Sequence, residues 1–177
     1  MKRYLSLALA VLMLLACFTL SACDMNKKPA MPDGYKEYNN GDISFAYPAD
    51  WNLTDGSTVI LVNPSGVGNN ITVVYEAKNT VYETISVEEF EAQMKPAYQS
   101  MGMTIKGTTI EQVKNDCGTK MTKISLTTTA ANVSVTMQQT MYITHVGSKT
   151  YTVTVTETTT DAALVQNVFN TLYIEKK

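Results

Sequence analysis

Few residues in this chain of 177 could do chemistry, and they stand far apart. His145 is the only histidine, so a nucleophile–histidine–acid set would have to use it. It reads as part of a hairpin turn beside Gly147, and no motif brings a serine or Cys117 to it. One histidine, one cysteine in the body of the chain and scattered carboxylates make no metal-ligand cluster. Asp50 and Asp55 flank a turn and read as solvated carboxylates. Gly66-Val67-Gly68 has the glycines of a phosphate loop, but such loops run from a strand into a helix N-terminus. Here the segment joins two strand-like stretches and lacks a lysine, so it reads as a connector. Glu88, Glu89 and Glu91 could form an acidic docking patch, yet such a run more often marks a solvated helix start. Cys117, in the turn-like Asn115-Asp116-Cys117-Gly118, is either a reactive thiol or a small residue packed near a turn; the surroundings favour the second. No catalytic, cofactor-binding or metal-binding residue is assigned.

One thiol does sit in a reactive context. Met1-Lys2-Arg3-Tyr4 is a short positive segment, and Leu5 to Leu20 is an almost unbroken apolar run without charge. Small residues then lead to Cys23 in Leu20-Ser21-Ala22-Cys23. That is the layout of a secretory signal, and the run is short for a spanning helix, which needs about 20 apolar residues. Leu20-Ser21-Ala22-Cys23 resembles the lipobox of bacterial lipoproteins. The resemblance implies lipidation of Cys23, removal of residues 1–22, and anchoring to the membrane without a transmembrane helix. With Cys17 removed and Cys23 acylated, Cys117 is left alone, so no intramolecular disulfide can form. Packing alone must then hold the exported domain.

Charge narrows the partners. The formal net charge is −2, and it becomes −4 once Lys2 and Arg3 leave with the signal. Arg3 is the sole arginine, so the mature chain has none. Arginine supplies the planar fork that grips phosphate at two points. An acidic domain without it is a poor candidate for nucleic acid or phosphoryl chemistry.

The elements that would position any site are mostly strands. Residues 23–34 are polar, hold Pro29, Pro32 and Gly34, and read as a lipidated cysteine and flexible tether reaching about 35 Å at roughly 3.3 Å per residue. The domain spans 35–177. Lys36–Tyr38 and Ile43–Tyr47 read as strands around Asn39-Asn40-Gly41-Asp42, where Asn-Gly suggests a type I′ turn. Thr58–Val62 is apolar on both faces and is expected at the sheet's centre, and Ile71–Ala77 is a further strand. Ser86 and Glu89 form a capping box for a helix with the stripe Phe90, Met94, Ala97, Tyr98 and Met101. Pro96 should kink it and Gly102 end it. Thr108–Lys114 reads as a weak strand. Thr119–Thr129, Val133–Thr144 and Thr150–Glu157 read as a three-stranded meander, with a bulge at Gln138-Gln139. A last helix starts near Thr160-Asp161 and presents Leu164, Val165, Val168, Phe169 and Leu172. The pattern is an α+β domain: an antiparallel sheet flanked by helices.

Ile43-Ser44-Phe45-Ala46-Tyr47-Pro48-Ala49-Asp50-Trp51 resembles the opening of PsbP-like domains, a strand ending in aromatic-Pro followed by Trp. The Ser86–Phe90 helix start, the Thr-rich hairpin and the terminal Phe169-Asn170-Thr171-Leu172 fit the same layout. The resemblance implies an α/β/α sandwich and non-catalytic docking onto other macromolecules. Phe45, Pro48 and Trp51 are read as core, so no binding residue carries over.

The least ordinary surface is a row of threonines, Thr150, Thr152, Thr154 and Thr156, opposite Tyr151, Val153 and Val155. Threonine suits any solvent-facing sheet. The sharper reading is a flat hydrogen-bonding surface for docking, with the terminal helix placed to cover part of it. The expectation is therefore a membrane-anchored lipoprotein on the extracytoplasmic face of the cell membrane, held by lipid on Cys23. Its domain would be a non-catalytic docking or scaffold module for an unidentified protein partner, without nucleic acid or cofactor. The alternatives are a solute-binding lipoprotein serving a transporter and an envelope hydrolase dependent on His145.

Overall fold

A computed structural model describes residues 27–54, 56, 58–65, 68–130 and 135–176. Leu20–Cys23, Asp55, Gly66-Val67, and the turn and strand start at 131–134 lie outside the described residues. The elements are β1 (Tyr35–Asn39), β2 (Ile43–Pro48), β3 (Asn52–Thr54), β4 (Val59–Val62), β5 (Asn70–Ala77), a 3-10 turn (Val81–Glu83), α1 (Val87–Ser100), β6 (Met103–Lys114), β7 (Lys120–Ala130), β8 (Thr136–Val146), β9 (Lys149–Glu157), α2 (Ala162–Thr171) and β10 (Tyr173–Ile174). A seven-stranded sheet has the order β3-β4-β5-β9-β8-β7-β6, and a small sheet has the order β1-β2-β10. All pairings are antiparallel.

Strand alternation divides the large sheet into two buried faces. On one face Leu61, Ile71, Val73, Tyr142, Tyr151, Val153 and Val155 pack with Leu164, Val168 and Leu172 of α2 and with Ile43, Phe45 and Trp51. On the other, Ile124, Leu126, Met141 and Ile143 pack with Phe90 and Tyr98 of α1. Each such side chain contributes roughly 1.5–3 kcal/mol when removed from water. The result is the expected α+β fold, with helices on both faces of an antiparallel sheet.

α1 begins as the sequence requires: Ser86 Oγ accepts from Glu89 N–H, and the Glu89 carboxylate accepts from Ser86 N–H. Ser86 N–H and then Ser86 Oγ–H, both donating to that carboxylate, hold the Glu89 carboxyl below its ordinary value. The helix runs in one piece to Ser100 with Pro96 inside it, and Gly102 leaves it at φ +71. Phe90 and Tyr98 are buried and Met94 partly so, but Ala97 and Met101 face solvent, so the stripe is narrower than its spacing suggests.

Several expectations are corrected. β6 is a full 12-residue strand, so the meander has four strands rather than three. The β8 register is continuous through Gln138 and Gln139; the irregularity lies between Ile105 and Gly107 instead. β4 is next to the edge and not central, and it buries only one face. The β1–β2 turn has positive φ at Gly41 and not at Asn40, which excludes type I′. Asn39 and Asn40 carbonyl oxygens instead accept from Gly41, Asp42 and Ile43 N–H groups, closing the turn with side chains.

Residues 27–34 do not hang free. Lys28 Nζ lies 2.6 Å from a Glu175 carboxylate oxygen and also pairs with Glu37. Tyr35 N–H donates to Pro32 O, and Ala49 N–H donates to Gly34 O. Burial alone would raise the Glu175 carboxyl, but the hydrogen bond and charge of Lys28 bring it below the usual range. Charge pairing at Lys28 and backbone bonds at Pro32 and Gly34 thus set part of residues 27–34 against the domain.

Two buried polar groups tie the ends together. Asn115 Nδ2 donates to Phe169 O at 2.8 Å and Leu172 O at 2.7 Å, while its Oδ1 accepts from Thr119 N–H at 2.9 Å. Glu157 accepts from Asp161 N–H at the start of α2. Burial raises its carboxyl above the usual value, the Asp161 N–H opposes this, and the Asp161 charge adds to it.

Two outcomes are expected. Asn115→Ala removes the amide that meets two helix-end carbonyls and should lower the unfolding free energy in urea by about 2–4 kcal/mol. The raised Glu157 carboxyl makes its charged form the disfavoured one, so its contribution is full below the unfolded pKa and is lost as pH rises through the folded one. Glu157→Gln should therefore gain in melting temperature over the parent as pH rises from 4 to 7. A flat difference would contradict this.

Candidate functional site

The threonine row lands on the α1 face of the sheet. Register places Thr156 opposite Gln139, Thr154 opposite Met141, Thr152 opposite Ile143 and Thr150 opposite His145. α1 packs over β6, so it shelters one half of this face and leaves the β9–β5–β4 half less covered. Between them runs a groove of about 480 Å³. Phe90, Met94 and Tyr98 of α1 form one wall, and Thr72, Thr152 and Thr154 lie on its floor. Tyr98 Oη donates to Gln139 Oε1, and Gln139 Nε2 donates to Thr156 Oγ1 at 3.3 Å. Burial raises the Tyr98 hydroxyl.

The row is therefore not one continuous open surface. Thr150 is fully buried and Thr156 is buried, while Thr152 and Thr154 are half-buried and line the groove. The covering helix is α1 and not the terminal helix, which packs on the opposite face.

His145 sits within β8, not in the turn, and it is half-buried. Its Nδ1 lies 2.9 Å from Thr150 Oγ1, and its Nε2 lies 3.1 Å from Glu83 Oε1. Thr150 Oγ1 also accepts from Asn79 N–H at 2.8 Å. Hydroxyl, imidazole and carboxylate thus stand in the order of a hydrolytic triad. The hydroxyl, however, has no exposed surface and is held by the Asn79 backbone, so no substrate carbonyl can reach it. The chemistry of the cluster is anchoring: it pins the Asn79–Glu83 segment to β8 and β9. Sequence reasoning missed Glu83 and Asn79, because they lie far away along the chain and no spacing motif links them.

The remaining candidates separate. Cys117 is buried, with Sγ 3.0 Å from Asn115 Oδ1 and 3.4 Å from Leu172 O, which fits a packed residue in a turn. Asp50 and Glu88 are exposed, and Glu89 serves the helix cap. Among the described residues no three His, Cys, Asp or Glu side chains converge for a metal.

If the His145 cluster is an anchor, Thr150→Val should cost about 1–3 kcal/mol by stranding the Asn79 N–H, with far-ultraviolet circular dichroism unchanged at low temperature. A cost below the error of the melt would remove Thr150 from that role.

No protein-family model matches the chain, and no curated protein sequence matches it. Solved structures do. Cyanobacterial PsbP (CyanoP) from Synechocystis sp. PCC 6803 aligns with TM-score 0.53 and 12% identity over 81% of this chain and 94% of that one. A crystal structure from Bacteroides thetaiotaomicron aligns with TM-score 0.49 and 15% identity; it covers 81% of this chain, which spans only 50% of that one. LpqN, involved in cell envelope biogenesis of Mycobacterium tuberculosis, aligns with TM-score 0.46 and 13% identity over 80% of this chain and 91% of that one. None of these is described as an enzyme. The alignment with cyanobacterial PsbP shows the fold: this chain has the α+β architecture of PsbP-like structures.

Proposed function

We propose that this chain is a lipid-anchored, extracytoplasmic module that acts by docking a protein and not by catalysis. The observation that carries the reading is the uncovered half of the large sheet. Ile60, Val62, Thr72, Val74, Thr152 and Thr154 share one face by register. Val62 and Val74 are each 41% exposed there. β-branched apolar residues left open beside half-buried hydroxyls suit a partner that brings both apolar surface and hydrogen-bonding groups. The PsbP-like fold supports the same reading, and so does the buried, occupied hydroxyl of the one triad-like set.

The anchor rests on Leu20-Ser21-Ala22-Cys23 and the apolar segment before it. No helix among the described residues is long and apolar enough to cross a membrane. Lys28 is already fixed to Glu37 and Glu175. A lipid on Cys23 would therefore hold the domain by the short stretch up to Lys27, roughly 13 Å when extended, well below the reach of a free tether.

The reading is tested in cells. Cys23→Ala should abolish incorporation of labelled fatty acid and block removal of residues 1–22. A variant that remains processed and membrane-bound ends the anchor assignment. Cross-linking of the lipidated protein should capture one reproducible partner, and Val62→Glu with Val74→Glu should abolish it. A partner retained by that double variant ends the surface assignment.

A further inference from the structure

The groove beside α1 has a chemical bias that docking by the open face does not need. Its apolar wall comes from Phe90, Met94, Tyr98, Met141 and Ile143. Its volume of about 480 Å³ falls in the range of small-molecule sites. Thr152 and Thr154 point hydroxyls from its floor, and neither makes a hydrogen bond within the described chain. Each hydroxyl has two acceptor lone pairs.

Charge decides the class of ligand. Glu76 is the only charged residue that lines the groove; no lysine and no histidine does. Glu76 is exposed on β5, and one carboxylate oxygen accepts from Asn79 Nδ2 at 3.2 Å, which leaves the other open. Tyr82 lines the same groove, and its hydroxyl is raised by burial and then by the Glu76 charge. A carboxylate or phosphate ligand would meet no cation there and one like charge. An ammonium would meet a carboxylate, hydroxyl acceptors and aromatic rings.

We propose that this groove is a binding site for a small organic cation, a primary ammonium carried on an apolar body. The apolar body lies along Phe90 and Met94, and the ammonium lies at Glu76, with Thr152 one same-face register pair further along the floor. The inference does not rest on the anchor or on a protein partner.

Three near-isosteric probes separate charge from shape: phenethylammonium, phenethyl alcohol and hydrocinnamate. Saturation-transfer NMR would observe each probe with the full lipidated chain in phosphatidylcholine nanodiscs at neutral pH, with empty nanodiscs as background. Phenethylammonium should bind about three- to fivefold more tightly than the alcohol, as expected for one exposed ion pair, and hydrocinnamate should bind least. Glu76→Gln, a surface change that leaves the core untouched, should bring the ammonium to the affinity of the alcohol. Thr154→Phe should abolish binding of both by filling the groove. No transfer to phenethylammonium above the empty nanodiscs would overturn the site. Equal binding of alcohol and ammonium, or an unchanged affinity in Glu76→Gln, would overturn its charge assignment. These readouts are taken on chains that keep Val62 and Val74, so they stand apart from the cross-linking result.

Discussion

The fold depends on Asn115. Its side-chain amide meets the two carbonyls at the end of α2, and its carbonyl oxygen orders the turn between β6 and β7. A helix end buried without such partners is costly, because each unpaired carbonyl keeps its full desolvation penalty. With Asn115 in place, α2 can lie flat on the large sheet and seal Tyr142, Tyr151, Val153 and Val155 from water. The neighbouring Cys117 thiol shares the same carbonyl of Leu172 and is buried by the same contact. The other large cluster, under α1, rests on Phe90, Tyr98 and the capping box, with Tyr98 Oη donating to Gln139 Oε1 of the sheet.

The two sheet faces differ in consequence. The α2 face is closed by a helix and a second sheet, which leaves it a core. The α1 face is only half covered, and the strip between helix and open strands is where polar and apolar groups meet. Both function-bearing proposals draw on that asymmetry. It also bears on His145: its cluster lies where the Asn79–Glu83 segment is tied down, and the tie occupies the Thr150 hydroxyl beside it.

Much of the fold was legible because it is written in local chemistry. The Ser86–Glu89 capping box, the Tyr151–Val153–Val155 alternation and the Asp161 cap depend on near neighbours, and each forms. What failed depended on distant ones. Thr58–Val62 reads as doubly buried, but whether a strand is central is decided by strands that come later in the chain. The threonine row reads as open because alternation shows which residues share a face, not what covers that face. Residues 27–34 read as free because their composition is polar; the partners that hold Lys28 are Glu37 and Glu175, at the far ends of the domain. The groove has no linear signature at all, since its lining comes from β5, the 3-10 turn, α1, β8 and β9.

The small sheet pairs β2 with β10, so Ser44 and Ile43 find their partners only in Tyr173 and Ile174. Contacts of such sequence separation form late and slow the search for the native state. A chain that emerges amino terminus first can build hairpins and even the α1 face on the way, but it cannot close the α2 core until residues 162–174 are free. Glu175, which lies just beyond β10, also holds Lys28. A chain without α2, β10 and Glu175 would thus lack both a lid and a clamp, leaving apolar strands open to proteases.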